Sequence, residues 1–506
     1  MSLAPCLMVQ GTASGVGKSL LTAALCRLFR RAGYRVAPFK SQNMSLNAAV
    51  TSDGGEIGRA QAAQAEAAGV EATVHMNPIL LKPEADDRSQ VIVRGRAVAS
   101  VRWAEYGRMA PTLWPIVAES LAELRREHDL VLIEGAGSPA EINIGWDVVN
   151  MRVAALADAP VLLVGDIDRG GVFAALVGTL ALLSPEDRAR VAGLIVNRFR
   201  GDRAVLEPGL TLLAERTGVP VLGVVPLLGG GLVPEEDSLA LDAPPLDVED
   251  ARVVVAVIRL PRIANFDDAE PLAAEPGVAV RFVTRASEID AADVVIVPGS
   301  KSTIADLAWL RARGLVPAIE RAARDGRIVL GICGGFQMLG ERLADPQGVE
   351  TGGEADGLAL APVATTFASP KTSVRVRARV IGHGPLAAAA GAEVCGYEIH
   401  AGVTVARDHR AALAVIERGG VPADVLDGAV TGTVVGTYVH GLLTCGPLRR
   451  ALLAEAARHR GVAADPRWGS IDAADRYDRL ADLVGPALAL DAIASLVRRP
   501  LAAVVS

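Results

Sequence analysis

Residues 9–20 read VQGTASGVGKSL. The apolar run Leu7–Gln10 leads into them, and an amphipathic stretch over Lys18–Ala32 starts at their lysine. A glycine-rich turn from strand to helix directs backbone N–H groups and a helix N-terminus at one point, where an anion can sit. The lysine suits the outer phosphates of a nucleotide, and the Ser19 hydroxyl suits Mg²⁺. The common spacing places a glycine at the position that Thr12 holds here, and Gly11 sits one residue further back. The loop is therefore a variant, G-x5-G-K-S. Gly11, Thr12, Gly15, Gly17, Lys18 and Ser19 are the candidates to bind ATP.

A junction of this kind belongs to a parallel sheet flanked by helices, and the rest of the chain agrees. Strand-like runs Val36–Lys40, Leu130–Glu134, Val161–Asp166 and Val191–Asn197 alternate with helical patterns such as Ile57–Ala68. A second series holds Val253–Ile258, Val294–Pro298 and Ile328–Gly331. The expected fold is α/β, with two doubly wound, mostly parallel-sheet domains and a helical C-terminal tail. Between the series, Leu228–Asp250 carries seven acidic residues, three prolines and no Lys or Arg, as a linker would. The expected division is a nucleotide-binding domain over 1–235, a linker over 236–250, a second domain over 251–445 and a helical extension over 446–506.

With 506 residues, 51% of them hydrophobic and 22% charged, the chain is long and apolar enough for several real cores. Aromatic residues are 4%, so those cores must be aliphatic. A net charge of −7 argues against a nucleic-acid partner. The five cysteines are scattered, with no C-x-x-C pair, which points to reduced thiols rather than a disulfide frame or a zinc site. No basic stretch followed by a long apolar run opens the sequence, and Gly171–Leu183 is too short to span a bilayer. A cytoplasmic protein without a membrane partner is expected. There are 5 Lys against 46 Arg, so Lys18, Lys40, Lys82, Lys301 and Lys371 are candidates for places that require a compact ammonium.

Two acidic residues are candidate Mg²⁺ ligands beside Ser19. Glu134 ends the buried run LVLIE, at the tip of a strand next to the phosphate loop. Asp53, in TSDGGEIGRAQ, is the other, with a plain turn role as its alternative.

A second chemistry lies in residues 327–340, RIVLGICGGFQMLG. An apolar strand enters G-I-C-G-G and a helix follows, which is a nucleophile elbow with Cys333 at its apex. Gly331 and Gly335 permit the tight turn, and a helix N-terminus favours a thiolate. A base is needed. His440 in GTVVGTYVHGLL follows an apolar strand, and His400 in GYEIHAG is its rival.

These motifs carry resemblances. The phosphate loop resembles that of the dethiobiotin synthetase-like ATPases. Partition ATPases place an extra lysine where this chain has Ala13. The resemblance implies that Lys40 reaches the transferring phosphoryl group and that Asn197, at a strand end, reads adenine. The elbow with a distant strand-end histidine resembles the class I glutamine amidotransferases. It implies glutamine as substrate and an oxyanion hole from Gly299, or its neighbour Ser300, with Gly334. That family usually carries a Glu two residues after the histidine. Here the position is Leu442, so the partner of the base is open, with Glu398 as one candidate to orient a histidine.

SQNMSLNA, DGGEIGRAQAAQA, HMNPILLKP, EGAGSPAEIN, DIDRGGVFA, NRFRGD, PGSKSTIADL, GYEIHAG and YVHG together resemble the cobyric acid synthase family. The resemblance implies ATP- and Mg²⁺-dependent amidation of four carboxylates of a corrinoid, adenosylcobyrinic acid a,c-diamide. Ammonia would come from a Cys333–His440 glutaminase. The nearest alternative is the a,c-diamide synthase of the same pathway. A more distant one is a regulatory ATPase with a non-catalytic amidotransferase-like domain.

Overall fold

The computed structural model describes residues 3–141, 147–229, 232–233, 251–350, 352–407, 410–470 and 473–498. The linker expected at 236–250 lies outside them. The chain forms two compact units. The first contains Met1–Ser45, Glu56–Asp237 and Ala474–Ser506; the second contains Leu46–Gly55 and Ser238–Ala473.

In the first unit six parallel strands lie in the order Val221–Pro226, Val191–Phe199, Val161–Asp166, Cys6–Gly11, Leu130–Glu134, Val36–Phe39. Their runs of Val, Ile and Leu lack polar alternation because helices cover both faces. Cys6–Gly11 and Leu130–Glu134 are buried throughout. Register sets Val9 opposite Glu134 and Gly11 opposite Val164, so the phosphate loop and Glu134 leave the sheet at one edge. That carboxyl edge is where open α/β sheets hold ligands. The helix Lys18–Arg31 follows, with Gly17 as its left-handed N-cap. The helix expected from Ile57 starts instead at Arg59, because Glu56–Gly58 is a short strand. A four-stranded sheet of Gln42–Met44, Ile79–Ala85, Arg88–Val93 and Arg96–Arg102 completes the unit.

The second unit has its own sheet, in the order Val278–Val283, Val253–Ile258, Val294–Val297, Ile328–Ile332, Val434–Thr437, Ala429–Thr431. Only the last strand runs antiparallel. Two more four-stranded sheets lie in the sequence between the elbow and Ala429. One of them contains Thr372–Val380, whose Val376, Ala378 and Val380 are buried while Arg377 and Arg379 face out.

The helical extension expected over 446–506 is helical but divides between the units. Helix Gly446–Arg460 buries Leu448, Leu452 and Leu453 in the second core. Helices Ala473–Val484 and Leu490–Leu496 bury Tyr477, Leu480 and Ile493 in the first. There Arg27 and Arg31, on the helix after the phosphate loop, pair with Asp478. Amphipathic patterning shows that a helix is covered, not which core covers it.

Candidate active sites

In the first unit the glycines of the phosphate loop are needed for its shape. Gly15 and Gly17 have φ of 70° and 96°, where a side chain is strained. A Cβ on Gly11 would lie 2.5 Å from Val16 Cγ2. Thr12 N donates to Val164 O at 2.9 Å, tying the loop to the sheet. Lys18 Nζ donates to the carbonyls of Ala13 (2.9 Å) and Gly137 (3.1 Å), so its ammonium sits over the loop. Asn197 is buried, and its Nδ2 donates to Val16 O at 2.8 Å. A Cβ on Gly17 would overlap that amide nitrogen. The geometry therefore gives Asn197 a direct hold on the loop, apart from any contact with a base.

Glu134 is the centre of the site. It is fully buried, and its Oε1 accepts from Ser19 Oγ (2.9 Å) and from Lys40 Nζ (2.9 Å). Gln64 Nε2 donates to its Oε2. Burial alone would push the carboxyl up. The charge and hydrogen bond of Lys40, the Gln64 amide and the charge of Lys18 outweigh that and hold it below the usual carboxylate range. The structure thus brings Ser19, Lys18, Lys40 and Glu134 together. Asp53 belongs to the second unit, where its carboxylate accepts the Thr51 hydroxyl in the turn Thr51–Gly55. Its observed contacts are those of a turn residue. An ionised carboxylate and a hydroxyl are hard oxygen donors, and Mg²⁺ takes few protein ligands because it keeps waters and phosphate oxygens. Ser19 and Glu134 fit that ion.

In the second unit Cys333 stands at the strand-to-helix turn with φ 52° and ψ −110°. A non-glycine residue in this region is strained, as a nucleophile elbow requires. Gly335 lets the helix lie against the neighbouring strand, since a Cβ there would overlap Val297 O. Cys333 N donates to Thr437 O at 2.8 Å, and Sγ lies 3.4 Å from Ile399 O.

His440 is buried, and Tyr397 stacks on its ring with 5.4 Å between centroids. Its Nδ1 lies 2.7 Å from Asp268 Oδ2, while Gly441 N donates to Asp268 Oδ1 at 2.7 Å. Burial lowers the imidazole pKa. The Asp268 carboxylate and the Cys333 sulfur override it, and His440 is pushed up to about 10. The imidazole thus holds a proton between a carboxylate and a cysteine sulfur, an arrangement that matches a catalytic triad in geometry.

Asp268 was not among the residues expected from sequence. It lies in NFDDAEP, beyond the strand Val253–Ile258 and 172 residues before His440. An acidic pair past a buried strand was its only sequence signal. Glu398 does not orient His440. It pairs with Arg418 and lies 3.4 Å from His400 Nε2. His400 itself stacks on Tyr438 at 3.8 Å.

Gly299 gives His440 room, since a Cβ there would lie 3.1 Å from its Cε1. A Cβ on Gly334 would lie 2.8 Å from Ser300 N, so the Ser300 amide borders the elbow directly. Ser300 is held by its hydroxyl, which donates to Asp306 Oδ2 at 2.6 Å.

Comparison with known proteins matches both units to described domains. Residues 7–228 match the CobQ/CobB/MinD/ParA nucleotide binding domain, and residues 254–447 match the CobB/CobQ-like glutamine amidotransferase domain. A cobyric acid synthase of Sorangium cellulosum is 55% identical over 97% of this chain and 99% of its own length. Those of Moorella thermoacetica (50%, over 99% of both chains) and Dehalococcoides mccartyi (48%, over 97% of this chain and 98% of its own) are also similar. The chain belongs to the cobyric acid synthase family.

Proposed function

We propose that this chain is a glutamine- and ATP-dependent amidoligase of cobalamin biosynthesis. Its substrate is adenosylcobyrinic acid a,c-diamide, and its targets are the b, d, e and g carboxylates. One observation carries the reading. A Cys333–His440–Asp268 triad shares a chain with a phosphate loop whose Ser19 meets the ionised Glu134.

At the triad, Cys333 attacks the side-chain amide carbon of glutamine. The new C–S bond places charge on the amide oxygen, which the N–H groups of Ser300 and Gly334 stabilise. Such donors are typically worth about 3–4 kcal/mol each. His440 gives its proton to the departing ammonia, and Asp268 keeps the imidazole oriented and charged. Water then cleaves the thioester to glutamate.

At the phosphate loop, a corrinoid carboxylate oxygen takes the γ-phosphoryl group of ATP as ADP leaves, and ammonia then displaces phosphate from the acyl phosphate to give the amide. Ser19 and Glu134 would hold Mg²⁺, which when bound offsets charge on the phosphates. Lys18 and Lys40 keep two ammonium groups beside Glu134 and the loop, where the transferring group gathers negative charge. The five cysteines are free, and among the described residues no helix is long and apolar enough to cross a membrane.

The test is mass spectrometry of the product from adenosylcobyrinic a,c-diamide, glutamine and ATP. Four successive exchanges of OH for NH₂ are expected. Amidation of the a and c carboxylates of cobyrinic acid, with none on the diamide, would contradict the proposal.

A further inference from the structure

Leu46–Gly55 is grouped with the second unit, although the chain up to Ser45 and from Glu56 belongs to the first. These ten residues follow the strand Gln42–Met44 and begin six residues beyond Lys40. Part of the SQNMSLNA motif therefore contributes to the amidotransferase unit, and the two-site chemistry leaves that contribution unexplained.

Within the second unit the segment meets the loop that carries Asp268. Two asparagines make reciprocal bonds. Phe266 N donates to Asn47 Oδ1 at 3.3 Å, and Ala48 N donates to Asn265 Oδ1 at 3.0 Å. Both asparagines are buried. Asn265 has φ 53° and ψ 45°, a left-handed conformation that Asn tolerates better than most residues. Its Nδ2 donates to the Tyr397 hydroxyl at 3.3 Å, and Tyr397 is the ring stacked on His440. Asp268 N donates back to Asn265 O at 3.1 Å. Arg375 Nε anchors the far end of the segment through Val50 O at 2.9 Å. The segment thus holds Asn265, and Asn265 in turn bonds to Asp268 N through its carbonyl and to the stacking partner of His440 through its amide.

We propose that Asn47 and Asn265 are positioning residues of the glutaminase, and that a segment from the ATPase half of the sequence sets Asp268 against His440. The proposal rests on the reading of Cys333, His440 and Asp268 as the glutaminase. The titratable groups facing His440 are Asp268 from the braced loop, Cys333 from the elbow and Tyr397 from the neighbouring strand. If Asp268 loosens, His440 loses part of what holds its proton. The alkaline limb of glutamine hydrolysis then moves to lower pH.

The experiment is the pH profile of kcat and KM for glutamine hydrolysis by the full chain. Asn47→Leu keeps bulk and removes the acceptor. Asn265→Gly removes the side chain while tolerating the left-handed backbone. Asn47→Asp keeps an acceptor. In the first two, kcat should fall by roughly 10–100-fold, with KM little changed and the alkaline limb shifted down. Asn47→Asp should restore most of kcat. Falls in kcat with an unmoved limb, or failure of both Asn47→Leu and Asn265→Gly to fold, would assign the asparagines a purely structural role and overturn the proposal. His440→Ala is the control. Full hydrolysis in that variant would defeat the glutaminase reading itself. Loss in His440→Ala beside unchanged Asn47→Leu and Asn265→Gly would defeat the positioning alone.

Discussion

Asp268 Oδ2 lies 2.7 Å from His440 Nδ1, and its other oxygen accepts the next backbone amide, so the carboxylate is fixed at both ends. Asp268→Asn keeps the shape and removes the charge. We expect glutaminase kcat to fall by about 10²–10⁴-fold, read as ammonia release. The pH dependence follows from the raised pKa of His440. The pair's stabilisation is fully present below the ordinary histidine value and is lost as pH rises through about 10. At the other site, Lys40→Ala leaves Glu134 buried beside Ser19 without its nearest cation. Breaking a buried pair typically costs about 3–5 kcal/mol. Amidation should be lost with glutamine and with ammonium salt alike, as product analysis would show; full turnover with ammonium would remove Lys40 from the site. Cys333 and His440 were legible in the sequence because each sits at a strand end with a local glycine signature. Asp268 was not, because its role arises only when distant segments meet. The family's usual position for such a residue, held here by Leu442, pointed away from it.

Two strand-to-helix junctions do most of the work at the scale of elements. Each excludes a methyl group, by the side chains of Val16 and Asn197 at the phosphate loop and by the Val297 backbone at the elbow. Gly335→Ala would press its Cβ onto Val297 O, so either the elbow helix or the neighbouring strand must move. Overpacking of this kind typically costs about 1–3 kcal/mol, which denaturant unfolding would measure. A variant as stable as the parent would show that the elbow has slack. The parallel strands were legible because burial on both faces leaves continuous apolar runs. The small sheets were harder to read. Thr372–Val380 alternates polar and apolar residues, yet what its buried face covers is decided by distant strands. The C-terminal helices show the same limit, since their amphipathic faces do not name the core they join.

The whole molecule is not two consecutive domains. Leu46–Gly55 belongs with the second unit, and Ala474–Ser506 returns to the first. Composition marked an acidic break near residue 236 and carried no signal for either crossing, because both depend on contacts remote in sequence. Removing Ala474–Ser506 uncovers the core under Tyr477, Leu480 and Ile493. Burying an aliphatic side chain such as Leu480 or Ile493 is worth about 1.5–3 kcal/mol. The truncated chain should lose ATP binding, measured by calorimetry; unchanged affinity would show that the last helices are dispensable to the phosphate loop. Ammonia release at Cys333 and carboxylate activation at the phosphate loop are, on the proposed function, separate chemistries on one chain. The most direct measurement is amidation of adenosylcobyrinic a,c-diamide by Cys333→Ala, with glutamine and then with ammonium salt as nitrogen source. Cys333→Ala should make no amide from glutamine and turn over at a near-parental rate with ammonium. Loss of both activities in a folded Cys333→Ala protein, or retained use of glutamine, would contradict it.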